Sequence, residues 1–453
     1  MWVGISSVEL VPRMGRTLKV LVIGGGGREH ALCWALGQSD QVSGLICAPG
    51  NAGIAELAAI ADVRDDDIPG LIDLARREHV DLTVVGPEQP LAAGIADEFA
   101  AAGLRIFGPS SGATRLESSK VFAKEFMRRH AIPTAPFRVF DRAEDANRFL
   151  SQTDGPMVVK ADGLAAGKGV IICQNRDEAL SAVKKIMVDR AFGAAGERVL
   201  VEGLLVGEEM SLMAFSDGSC AVPMVAARDY KRALDGDQGL NTGGMGAYAP
   251  SRPWDDEIIA EVMDCVLTPA VTGMREEGHP YVGVLYAGMM LTDSGPRALE
   301  FNCRFGDPET QVVLPLLKTD LVDIMGACLA GRLDVQPVQW HDGYCAGVIM
   351  AARGYPGRYE SGVPIEGDTR TARDATFCFH AGTTRDSAGR LVSSGGRILG
   401  LFARSSSHEG AIAAAYAAVE RVSIKGAQYR TDIGVRTRSA GTRLRRPEAR
   451  PRR

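Results

Sequence analysis

A short apolar run, Leu18–Gly24, ends in four consecutive glycines at 24–27 and passes at once into a helical span over 29–37. Further apolar runs at 45–48, 82–86 and 105–108 are separated by helical spans. Strands alternating with helices specify a parallel sheet wound on both faces. Ligands of such sheets bind beyond the carboxyl ends of the strands. Those ends carry Gly26 and Gly27, Asn51, and Glu88. Glycines at a strand-to-helix turn let backbone N–H groups approach an anion. The pattern is not a dinucleotide fingerprint. Glu29 replaces its third glycine, and the second strand ends in Pro49-Gly50-Asn51, without an acid for a ribose. A monophosphate or sugar phosphate suits the turn better.

At 453 residues the chain exceeds one ordinary core. Breaker runs and pattern changes predict units at 18–118, 119–206, 207–333 and 335–434, with disordered ends at 1–17 and 436–453. The overall class is α/β and α+β multidomain: a doubly wound N-terminal sheet, central units with a mobile lid, and a strand-rich C-terminal unit. The net charge of -5 gives no reason to expect a nucleic-acid partner. No apolar stretch reaches the roughly 18 residues of a membrane span. The nine cysteines contain no Cys-x-x-Cys pair and read as reduced, which fits a cytoplasmic protein. Small-molecule substrates and a monomeric state are expected.

Chemistry concentrates in a few segments. Glu300 and Asn302 stand two apart on a predicted strand and share a face. A carboxylate and an amide oxygen are hard ligands suited to Mg²⁺, with phosphates and waters completing the shell. Arg304 follows on the same alternation. A half-buried strand with a polar face looks alike in isolation, so upstream elements decide. One such element is the loop 162–169, containing Gly163, Gly167, Lys168 and Gly169 between two strands. It lacks Walker spacing but suits a flap over phosphates. Lys160 before it and Lys120 upstream supply point charges. The strand end at Glu202, Leu204 and Leu205 presents backbone to an adenine edge, with Glu208 or Glu209 placed for ribose hydroxyls. Asp229-Tyr230-Lys231-Arg232 and the glycine-rich segment 239–246 lie where a substrate would sit.

Flap, lysines, adenine segment and metal pair, in that order, form the layout of an ATP-grasp enzyme. The chain closely resembles the glycinamide ribonucleotide synthetase family. The resemblance rests on Gly86-Pro87-Glu88, on Lys160-Ala161-Asp162-Gly163-Leu164-Ala165-Ala166-Gly167-Lys168-Gly169, on Asn241-Thr242-Gly243-Gly244-Met245-Gly246, and on Phe301-Asn302-Cys303-Arg304-Phe305-Gly306-Asp307-Pro308-Glu309. It implies ATP-dependent joining of glycine to 5-phosphoribosylamine through glycyl phosphate, with Mg²⁺ or Mn²⁺. Under it, Glu300 and Asn302 hold the metal, and Lys120, Lys160 and the 163–169 loop cover phosphates. Gly26, Gly27, Asn51, Glu88, Asn241, Gly243 and Asp307 meet substrate, and Arg304 and Asp229 meet glycine's carboxylate and amine. Two departures stand out. The strand Tyr286-Ala287-Gly288-Met289-Met290 lacks the acid that many ATP-grasp enzymes place there, and Tyr230 replaces a histidine common in the family. The rivals are another ATP-grasp enzyme such as a carboxylase, and a non-catalytic nucleotide binder.

Overall fold

The computed structural model describes residues 17–164, 169–250 and 256–435. The expectations for the two chain ends and for Gly167 and Lys168 lie outside the described residues.

The N-terminal sheet contains β1 (Leu18–Gly24), β2 (Val42–Pro49), β3 (Ala59–Ile60), β4 (Leu82–Val85) and β5 (Ile106–Phe107), all parallel, in the order β3-β2-β1-β4-β5. Winding reverses between β1 and β4, so the glycine turn and Gly86 flank the switch point where ligands bind. Val20, Leu21, Val22 and Ile23 are all fully buried, as a strand covered on both faces requires.

The next unit is antiparallel. Its strands β6 (Phe137–Phe140), β7 (Met157–Ala161), β8 (Val170–Cys173) and β9 (Val199–Gly203) run in the order β6-β9-β7-β8. Val159, Ala161 and Val201 pack against the helices Ala143–Leu150 and Arg176–Val183. Alternation turns Lys160 and Glu202 to the other face.

The central sheet joins β10 (Glu208–Asp217), β11 (Ala221–Pro223), β16 (Val282–Thr292) and β17 (Gly295–Asn302) in the order β11-β10-β16-β17. Met210, Leu212, Ala287, Met289 and Phe301 enter one core. Glu209, Ser211, Tyr286, Gly288, Glu300 and Asn302 fall on the opposite face.

The segment 228–249 leaves the expected unit at 207–333. Its strands β12 (Arg228–Asp229) and β15 (Gly246–Ala249) pair instead into a C-terminal sheet, while β13 (Arg232–Leu234) and β14 (Gln238–Asn241) form a hairpin between them. That sheet continues through β18 (Tyr344–Ala351) and includes β20 (Ala372–Arg373), β21 (Thr376–His380) and β24 (Arg397–Ser405), in the order β12-β15-β18-β24-β21-β20. Two ribbons border it: β19 (Ile365–Gly367) with β25 (Val422–Ile424), and β22 (Thr383–Arg385) with β23 (Leu391–Ser393). The alanine-rich helix His408–Val419 covers it through Ala411, Ala415 and Ala418.

Candidate active site

The register of β16 against β17 sets Gly288 opposite Glu300 and Tyr286 opposite Asn302, so all four share a face. A Cβ at position 288 would lie 3.3 Å from Glu300 Cγ. The strand therefore offers no third acid, and its glycine leaves the room that Glu300 uses. Tyr286 donates to Glu309 (3.0 Å), and Ser211 donates to the same oxygen (2.9 Å). Burial alone would raise the Glu300 carboxyl. Lys231, Lys160, Lys120 and Arg304 overcome that and hold it below the ordinary carboxylate range. No group of three or more His, Cys, Asp or Glu side chains with metal-holding geometry occurs among the described residues. An ionised carboxylate beside one amide oxygen fits a hard divalent cation that shares phosphate and water ligands.

Lys120 opens the helix Lys120–Arg129 and donates to Gly163 O at 2.9 Å, which fastens the flap's stem. Asp162 reinforces that stem by accepting from Ser119 Oγ (2.9 Å) and Val121 N (3.1 Å). Lys160 is ion-paired to Glu202 and donates to Leu299 O on β17 at 3.3 Å. The other carboxylate oxygen of Glu202 lies 2.6 Å from Lys124. Burial pushes the Lys124 ammonium down to about 8, with neighbouring Lys160 adding to the effect.

These contacts show what engages Glu202 in the fold. β9 is flanked by strands on both sides, so its backbone is committed to ladders and its side chain to two lysines. β9 ends at Gly203, and Leu204 and Leu205 follow beyond the ladders. The acids divide as well: Glu209 shares the face of Glu300, whereas alternation turns Glu208 away.

At the glycine turn, Glu29 folds back on the helix start. Its carboxylate accepts from Gly26 N (2.6 Å) and from Arg28 Nε (2.6 Å). The residue that spoils the dinucleotide fingerprint thus occupies one donor of the anion site, leaving Gly27 at the opening of the helix. Asn51 is engaged within the fold as well. Its amide donates to Gly25 O (2.9 Å) and His380 O (2.8 Å), and its oxygen accepts from Gly53 N and Ile54 N. It staples the loop and has little capacity left for substrate.

Arg304 Nε lies 3.2 Å from Glu88, and its Nη2 lies 3.1 Å from Glu117. Two carboxylates flank the guanidinium, which braces the end of β17 against the N-terminal unit. Asp229 and Lys231 lie 3.9 Å apart, and Lys231 is 4.0 Å from Glu209. Carboxylates on three sides keep the Lys231 ammonium charged, Asp229 foremost. Burial pushes the Asp229 carboxyl up to about 7. Asp307 and Gly243 come together through Arg397 of β24, which donates to Gly243 O (2.5 Å) and pairs with Asp307 (2.6 Å). Asn241 is in the hairpin and accepts from Arg232 Nη1 at 3.3 Å.

Three family models match in sequence order. The phosphoribosylglycinamide synthetase N domain matches 18–117, its ATP-grasp (A) domain 118–310, and its C domain 345–436. The chain belongs to the phosphoribosylglycinamide synthetase family. A phosphoribosylamine–glycine ligase of Caldanaerobacter subterraneus subsp. tengcongensis is 47% identical over 416 residues, covering 92% of this chain and 99% of that one. The trifunctional purine biosynthetic protein adenosine-3 of Gallus gallus is 48% identical over 422 residues, and the match takes in 42% of its length. The crystal structure of the Thermotoga maritima phosphoribosylamine–glycine ligase superposes with a TM-score of 0.80 at 33% identity, covering 92% of this chain and all of that one.

Within this synthetase fold, sequence reasoning missed Lys124, Glu117 and Arg397. Lys124 had a signal, since it follows Lys120 by one helical turn. Arg397 had none: it reaches Asp307 across ninety positions of sequence.

Proposed function

We propose that this synthetase ligates glycine to 5-phosphoribosylamine at the expense of ATP, giving glycinamide ribonucleotide, ADP and phosphate in purine biosynthesis. One observation carries the chemistry: a half-buried carboxylate, Glu300, held ionised by Lys231, Lys160, Lys120 and Arg304 within the ATP-grasp (A) domain match. The protein uses ATP and a divalent metal. Glu300 and Asn302 would hold that metal, Mg²⁺ or Mn²⁺, which when bound neutralises phosphate charge. Phosphoryl transfer of this kind needs positioned cations and no protein nucleophile.

In this reading Lys120 and Lys160 orient the ATP phosphates beneath the flap. Leu204 and Leu205 offer backbone to adenine, and Glu209 faces the ribose. The γ-phosphoryl group passes to glycine's carboxylate, and the sugar amine then attacks the acyl phosphate and releases phosphate. Lys231 stabilises the anionic carboxylate and phosphoryl oxygens as charge shifts. Asp229 receives the glycine amine. Arg304 holds Glu88 toward the sugar beside Gly27, and Asp307 and Gly243 close the far wall. All nine cysteines are free, which supports a reducing cytoplasmic setting. Among the described residues no helix is long and apolar enough to cross a membrane.

The test is ADP release with Mg²⁺, ATP, glycine and phosphoribosylamine supplied together. Turnover should require both substrates. Release triggered by bicarbonate without glycine, or no release at all, would replace this reading with one of its rivals.

A further inference from the structure

Tyr230 stands between two site residues yet faces away from them. Asp229 and Lys231 turn to the Glu300 face. Tyr230 is buried in the C-terminal core beside Tyr248, with ring centroids 6.4 Å apart. Its hydroxyl accepts from Gly434 N at 2.9 Å, and the Arg430 guanidinium lies 4.8 Å from its ring centroid. Arg430 is only 1% exposed. It donates to both oxygens of Asp432 (2.7 and 2.6 Å), to Asp237 (2.8 Å) and to Arg232 O (3.2 Å). The hairpin tip is fastened from its other side as well. Gly236 N donates to Asp432 (2.8 Å), and Thr431 donates to Asp235 through its N–H (2.8 Å) and its hydroxyl (2.5 Å).

We propose that residues 430–434 form a clasp that positions Lys231 and Asp229, acting through Tyr230 and the β13–β14 hairpin. The functional half rests on the reading that Lys231 faces the reacting phosphate. A two-stranded ribbon is marginal by itself, and this one has little apolar support: Leu234 is 54% exposed and Leu240 67%. Its placement therefore depends on polar contacts, and the strongest run to 430–434. The hairpin begins at Arg232, one residue beyond Lys231, and Thr242 at its far end donates to Lys231 O from both its N–H (2.7 Å) and its hydroxyl (2.9 Å). Any slip of the ribbon moves the Lys231 backbone, and displacement of a catalytic group by about 1 Å costs up to roughly a hundredfold in rate.

Full-length Asp432→Asn, Arg430→Met, Tyr230→Phe, Tyr230→Ala and Lys231→Met separate the possibilities. Steady-state kinetics and amide hydrogen exchange over 232–242 are the readouts. Asp432→Asn and Arg430→Met should lower kcat about tenfold or more, leave KM for ATP within about threefold, and speed exchange of the hairpin about tenfold. Tyr230→Phe keeps the stack and should retain far more turnover than Tyr230→Ala. If the buried Arg430→Met does not fold, Asp432→Asn, at the more accessible partner, decides. Unchanged exchange would remove the clasp. Faster exchange with wild-type kcat would remove its positioning role. Wild-type turnover in Lys231→Met would remove the reading of Lys231, and with it the functional half, while the exchange result still reports on the clasp itself.

Discussion

Charge pairing at single residues decides what each lysine can do. Lys160 reads in the sequence as a free cation: a lone lysine is usually a solvated surface charge, but this one ends an apolar strand directly before a glycine loop. In the fold it is one of three members of a buried set in which Glu202 binds two ammoniums. That set extends through Lys124 to Thr134 Oγ1 (2.5 Å) and from there to Ala298 O (2.6 Å), so it also ties the flap unit to β17. Glu202→Gln leaves two ammoniums facing each other without their counter-ion. Removing one partner of a buried pair costs about 3–5 kcal/mol. The variant should therefore unfold at lower denaturant and bind ATP about tenfold more weakly; denaturant melts and ATP titration measure both, and unaltered ATP affinity would detach Glu202 from the nucleotide site. Glu300→Gln differs. It should stay folded and lose about a hundredfold or more in turnover, since charge stabilisation at the reacting phosphate is removed. Turnover near wild type would take Glu300 out of the metal site. Lys120 and Lys160 stood out in the sequence because chemistry selects charge type, whereas Lys124 did not. Their counter-ions were not legible, because pairing depends on which strands lie back to back.

Alternation along a strand made the Glu300/Asn302 face readable, and it survives an irregularity that the sequence does not announce. The β16–β17 register shifts between Gly288 and Met289, but both metal candidates lie on one side of the shift and keep a common face. Gly288 then acquires a reason: a methyl group there would press on Glu300 at a distance tighter than ordinary contact. Gly288→Ala should displace that carboxylate by a few tenths of an ångström and lower kcat a few-fold to about tenfold with the fold intact, as kinetics with circular dichroism would show; full activity would mean Glu300 tolerates the shift. The departure of β12 and β15 into the C-terminal sheet was not legible. Local pattern identifies strands, whereas pairing across about a hundred positions of sequence, as between Ala247 and Gly347, is set by packing of the whole chain. The same limit concealed Arg397 and the fastening of Tyr230.

At the scale of the molecule, the N- and C-terminal units meet over two buried histidines. His30 Nδ1 accepts from the His380 backbone N–H at 2.8 Å, and its Nε2 lies 3.0 Å from Thr371 Oγ1. A protonated ring would set Nδ1–H against N–H, so this junction requires neutral His30. Burial, then His380, lowers the His30 pKa well below its ordinary value, and burial lowers His380 too, where the hydrogen bond to Thr369 O and then Glu56 oppose and Arg385 assists. Both folded-state values are depressed, so below about pH 6.5 these two rings bind more protons in the unfolded chain than in the folded one. The stability they contribute is present above that pH and is lost as pH falls toward the folded values, with a slope of up to about 1.4 kcal/mol per pH unit for each ring. Asn51 links this junction to the site, since one amide holds both His380 O and Gly25 O of the glycine turn. Asp229, raised to about 7, takes up a proton in the folded state over the same range and offsets one ring, but two rings outweigh one carboxyl. Acidification from pH 7 to 5 should therefore lower the denaturant midpoint and, before global unfolding, raise KM for phosphoribosylamine more than KM for ATP. His30→Gln keeps an acceptor without a titrating group and should flatten the stability slope by about one proton. An unchanged slope in His30→Gln would show that the junction does not carry the acid sensitivity, and equal shifts in the two KM values would show that it does not reach the glycine turn.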